Sequence, residues 1–126
     1  KIFDLKTHKI TNISGFNKDK TISVGFRKKL VLNASSDMRI AVYNLKGDIR
    51  FSMRGKFLPY GADLSEKGDK LAFQIDEKNS IAVYNLNKKL LKTLKGHKMP
   101  LNGLKFIGED KILSFSPNEI IIWSIK

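Results

Sequence analysis

The chain has 126 residues, a length that allows one domain with a modest core, and its 41% hydrophobic and 10% aromatic content excludes the disordered class. Zero cysteines exclude disulfides and thiolate metal sites, and no apolar run nears the roughly 18 residues that a transmembrane helix needs. The net charge of +12 would attract nucleic acid, anionic lipid or an acidic protein surface, yet it is mostly scattered lysine, with only four arginines (Arg27, Arg39, Arg50 and Arg54) to make bidentate contacts.

In chain order the apolar tracts are KIFDLK (1–6), THKITNI (7–13), TISVGF (21–26), KLVLNAS (29–35), RIAVYNL (39–45), KLAFQI (70–75), SIAVYNL (80–86), KILSFS (111–116) and EIIIWSI (119–125). Each is short and rich in β-branched or aromatic residues, and none has a helical period, so each is predicted to be a strand. Turn formers separate them: RKK (27–29), SEKGDK (65–70) and GEDK (108–111) join first to second strands. SSDMR (35–39), DEKNS (76–80) and SPNE (116–119) join second to third, and KGD (46–48) and NKK (87–89) join third to fourth.

These tracts repeat. The hexamer IAVYNL occurs twice, 41 positions apart, and aromatic residues hold its fourth place or the matching one at Phe3, Tyr43, Tyr84 and Trp123, at intervals of 40, 41 and 39. Glycines at 15, 55 and 96 keep the same step, and are read as tight turns. About four antiparallel strands fill each period.

The spacing resembles that of WD-repeat β-propellers, whose units open on Gly-His and close near Trp-Asp. Gly96-His97 followed by Trp123 is the nearest match, and Asp37 stands six residues before Tyr43, as the family's turn Asp stands before its Trp. ADLSEKG (62–68) is similar to the family's first strand and turn. The resemblance spans essentially the whole chain. It implies a network of the Gly-His histidine, a strand Ser or Thr, the turn Asp and the Trp, with His97 a turn-capping group. No unit has all four members. Pro117 stands where Asp would follow His97; Phe16 and Tyr43 replace His and Trp around Asp37; the middle unit has Lys56, Lys78 and Tyr84.

The predicted fold is therefore all-β: an incomplete propeller segment of about three repeats, with a partial blade at 1–13, blades at 21–53 and 60–94, and a partial blade at 101–126 that lacks its outer strand. Closed propellers need at least four sheets, so two apolar sheet faces should stay open. The chain begins with Lys1 rather than Met, which fits a piece of a longer propeller; the alternative is assembly with copies of itself.

No constellation for catalysis, metal or cofactor binding is visible. The two histidines, His8 and His97, are far apart, and nearly all carboxylates sit in predicted turns, where Asp76-Glu77 and Glu109-Asp110 read as solvated charges. No signal peptide is visible, and a cytoplasmic location is expected, though lack of cysteine also fits the periplasm. The resemblance implies a protein-interaction scaffold rather than an enzyme. The face carried over from the family holds Lys18, Lys20, Arg39, Arg54, Lys56, Phe57, Lys95, His97, Lys98 and Met99, interrupted by Asp19, Asp37, Asp76, Glu77 and Glu119. Basic charge with Phe57 and Met99 as anchors suits an acidic protein partner. The competing readings are a binder of nucleic acid or anionic surfaces, and an accessory subunit of an enzyme complex.

Overall fold

A computed structural model describes residues 21–126 (Ser23 by its backbone alone), together with the backbone of two short paired strands, β1 (Ile2–Phe3) and β2 (Ile10–Thr11). Every element described is a strand and every pairing is antiparallel. The first four-stranded sheet runs β3 (Thr21–Arg27), β4 (Leu30–Ser35), β5 (Arg39–Asn44) and β6 (Ile49–Arg54). The second runs β7 (Ala62–Leu64), β8 (Lys70–Gln74), β9 (Ile81–Asn85) and β10 (Leu90–Leu94). The third has β11 (Gly103–Ile107), β12 (Lys111–Ser116) and β13 (Glu119–Ser124), in the order β11-β12-β13, with no outer strand among the described residues. Short hairpins impose this meander, since each is long enough only to return the chain antiparallel. The architecture is all-β in four-stranded units, and it does not close. Among the described residues no helix is long and apolar enough to cross a membrane.

Cross-strand register aligns the sheets position by position: Val31 opposes Tyr43, Leu71 opposes Tyr84, and Ile112 opposes Trp123. Alternation along each strand then sends one set of side chains forward and the other back. Leu32, Ala34, Ile40 and Val42 of the first sheet pack on Leu64, Leu71 and Phe73 of the second. Ala72, Ile81 and Val83 of the second pack on Leu104, Phe106 and Ile112 of the third. Fully buried residues such as Phe73, Leu32 and Ile81 each contribute about 2 kcal/mol by leaving water. The core thus lies between sheets, in two layers.

Both faces expected to stay open expose apolar side chains. The forward face of the third sheet exposes Ile120 and Ile122; on the backward face of the first sheet Ala41 and Tyr43 are buried while Val24 (69%) and Phe26 (52%) on β3 are exposed. The repeated glycines also differ from expectation. Neither Gly55 nor Gly96 has a positive φ; a Cβ at Gly96 would lie 2.9 Å from Trp123 Cη2, so close approach of the indole excludes a side chain there. Gly15 lies outside the described residues.

Among the described residues positive φ falls instead on Gly47, Gly68 and Gly108 and on five other residues, Lys28, Lys29, Met38, Asn79 and Lys88. The two-residue loop joining β3 to β4, closed by the Arg27–Leu30 pair, holds Lys28 at 49° and Lys29 at 62°. This is the type I′ geometry that favours Asn-Gly, and each non-glycine residue in it costs roughly 1 kcal/mol. The double substitution Lys28→Asn, Lys29→Gly should raise stability by about 1–2 kcal/mol, read as a higher midpoint in thermal and urea unfolding.

Candidate interaction surface

The second-to-third hairpins and the segments linking one sheet to the next gather at one end of the strands. Backbone hydrogen bonds set the link after the first sheet: Gly55 N–H donates to the Met38 carbonyl at 2.7 Å and Lys56 N–H to that of Ile75 at 3.1 Å. Arg54 and Lys56 are exposed there and Phe57 is half-buried. Arg39 pairs across the strands with Arg54 and lies 3.4 Å from the Asp37 carboxylate.

Side chains fix the link after the second sheet. Gln74 is buried; its Oε1 accepts from Leu101 N–H at 2.9 Å and its Nε2 donates to the Asp76 carbonyl at 3.0 Å. Asn79 Nδ2 reaches the His97 carbonyl at 3.4 Å. These bonds satisfy backbone groups that no strand pairs, which would otherwise cost more than the bonds themselves contribute. They hold residues 95–101 against the second sheet, so that Lys95, Lys98 and Met99 stand exposed on a fixed loop.

Beneath that loop lies a hydrogen-bonded chain of three residues with a carboxylate beside its end. Trp123 Nε1–H donates to Ser114 Oγ at 2.8 Å, and Ser114 Oγ lies 2.6 Å from His97 Nε2. With the indole proton on Ser114, the hydroxyl proton is free for Nε2, which places the imidazole proton on Nδ1. Nδ1 lies 3.3 Å from Glu119 Oε1 but out of hydrogen-bond alignment, so Glu119 acts on it by charge alone, and the same oxygen accepts from Lys98 N–H at 3.1 Å. The acid missing at Pro117 is thus supplied two residues later, from the first position of β13. At the matching pair of the second sheet the same space is filled by Phe73 stacked on Tyr84, with ring centroids 5.7 Å apart.

Arg54, Lys56, Phe57, Lys95, Lys98 and Met99 therefore share one end of the molecule, as does Arg39. His97 does not offer its ring to that surface, because the side chain is fully buried. Lys18, Lys20 and Asp19 lie outside the described residues. Three of the interrupting acids are committed locally: Asp37 accepts from Ser35 Oγ and Arg39 N–H, Asp76 from Lys78 and Ser80 N–H, and Glu119 serves His97 and Lys98. The exposed cations consequently outweigh the free acids.

At the other end Glu109 is not a solvated turn charge. It accepts from Lys67 N–H at 2.6 Å and holds Lys70 Nζ at 2.5 Å, tying the third sheet to the second. Burial would lower the Lys70 pKa, but Glu109 and Asp69 outweigh it and the net shift is upward. Asp63 was also invisible as a site. Buried in β7, it accepts from Phe106 N–H at 2.8 Å and lies 4.0 Å from Arg27, joining the innermost strands of all three sheets. An acid within an apolar tract (Ala62-Asp63-Leu64) was the available signal. Among the described residues no three His, Asp or Glu side chains converge as a metal would require.

Burial pushes the His97 imidazole below its ordinary 6.5, and Glu119 only partly offsets this. The unfolded chain therefore binds more protons just below pH 6.5, and stability should fall as pH drops from there toward the folded-state value, by at most about 1.4 kcal/mol per pH unit. Urea titrations at stepped pH should show His97→Gln flattening that slope. Ser114→Ala, which strands Trp123 Nε1 and His97 Nε2, should cost about 2 kcal/mol.

Compared with known proteins, the chain matches no family model and no curated protein.

Proposed function

We propose that this chain is a WD-repeat-like β-propeller segment that serves as a protein-interaction scaffold. The observation that carries the reading is the forward face of the third sheet. Ile120 is 71% exposed and Ile122 62%, while the residues at the same repeat positions are buried: Ile40 1%, Val42 0%, Ile81 0% and Val83 0%. A following sheet covers those positions in the first two units, and another sheet of the same repeat fits the third. Exposed aliphatic side chains on a strand whose outer edge has no partner among the described residues favour association over a solvated surface. The end that carries Arg54, Lys56, Lys95 and Lys98 around Phe57 and Met99 supplies charge steering and apolar anchoring for an acidic protein partner.

Size-exclusion chromatography with light scattering should find the chain larger than a monomer, and Ile120→Lys with Ile122→Lys should shift it to monomer with its β-sheet circular dichroism intact. A stable, folded wild-type monomer would overturn the reading. For the basic end, affinity capture should lose acidic partners when Lys56 and Lys98 are both changed to Glu. Unchanged capture would remove that surface from the proposal.

A further inference from the structure

At the opposite end of the strands, a cleft of about 560 Å³ opens between the first and second sheets. Its floor is aliphatic, from Leu30, Leu86 and Leu91, and its walls carry Lys28, Arg50 and Lys67. All three cationic side chains are exposed. Among the described residues none has a carboxylate within the 4.0 Å of an ion pair. Lys70 in the same cleft differs, because Glu109 at 2.5 Å and Asp69 at 3.4 Å already neutralise it. Asp69 also lines the cleft, shared between Lys70 and Ser65. Lys28, Arg50 and Lys67, none of them in an ion pair among the described residues, therefore outnumber the acid around an apolar floor and leave the cleft net positive.

Backbone strain also falls at this end, at Lys28 of the cleft and at two lysines outside its lining. Lys28 and Lys29 occupy a turn made for Asn-Gly, and Lys88, on the third-to-fourth hairpin of the second sheet, is also left-handed at φ 65°. These three lysines stand at this same end, at positions where lysine opposes folding. Among the described residues none of them forms an ion pair that would offset the strain.

We propose that this cleft binds an acidic peptide segment: an aliphatic side chain seats on Leu30, Leu86 and Leu91, and flanking carboxylates pair with Lys28, Arg50 and Lys67. Charge complementarity selects the acid, and the floor selects a peptide. No aromatic side chain lines the cleft, so a nucleic-acid strand would find no surface on which to stack its bases. The site uses neither the open face of the third sheet nor the opposite basic end, so it stands or falls separately from them.

The probe is a fluorescein-labelled peptide of glutamates flanking a single leucine, titrated with the whole chain at low salt and read by fluorescence anisotropy. Saturable binding is expected, weakening as salt screens the charges. Arg50→Glu with Lys67→Glu should weaken it by about tenfold or more, whereas Lys56→Glu with Lys98→Glu, the same change in net charge at the other end, should leave it within about twofold. Lys28→Asn with Lys29→Gly should weaken binding while raising thermal stability, which separates lost affinity from lost folding. The proposal is overturned by absence of saturable binding, by full affinity in either cleft variant, or by equal loss in the opposite-end variant. Equal displacement of the probe by a single-stranded oligonucleotide of matched charge would overturn it as well.

Discussion

Face-to-face burial between successive sheets carries the rest of this structure, because a sheet of three- to seven-residue strands has no interior of its own. Each sheet contributes a forward set and a backward set of side chains, and both core layers form where the forward set of one meets the backward set of the next. The aliphatic pairs Ile40–Val42 and Ile81–Val83 lie at the centre of those layers, completely removed from water. Stability in such an array is a sum over neighbours. The last sheet then presents its own pair, Ile120 and Ile122, to solvent, so the same constraint that builds the stack leaves it able to associate.

Polar groups are buried only where the stacking leaves a backbone donor or acceptor without a strand to pair with. Asp63 meets Phe106 N–H on an innermost strand, and Gln74 meets Leu101 N–H at the start of the third unit. The pair of positions diagonal to one another on the second and third strands of a unit shows two answers to one packing problem. In the second unit Phe73 and Tyr84 stack; in the third, Ser114 bridges Trp123 and His97. The hydrogen-bonded answer immobilises residues 95–101 and so the exposed Lys98 and Met99. Structural and recognition roles thereby divide within a few residues: His97 faces in and its neighbours face out. At the other end the division falls among lysines, with Lys70 bound to Glu109 while Lys28 and Lys67 remain open.

Much of this was legible in the chain. Short β-branched tracts between turn residues have one stable arrangement, an antiparallel meander, and four aromatic positions at near-constant spacing marked the repeat. The pattern read less well wherever a side chain reaches out of its own unit. Glu119 looked like a turn charge, because nothing local says that it bends toward an imidazole 22 positions earlier. Glu109 was read as solvated, yet its partners lie in the preceding sheet. Gly96 was assigned to a turn, although what it avoids is the edge of Trp123.

By itself, then, the sequence determined the strands, the period and the unclosed end, since these follow from alternation, turn chemistry and spacing along the chain. Tertiary structure alone decided which polar groups become ties and which stay free, because that depends on which backbone groups are left unpaired when one sheet meets the next. It likewise decided that His97 is internal, that Asp63 joins three strands, and that Lys28, Arg50 and Lys67 come together over a leucine floor. Those residues lie up to 39 positions apart, and only the stacking of two sheets makes them neighbours.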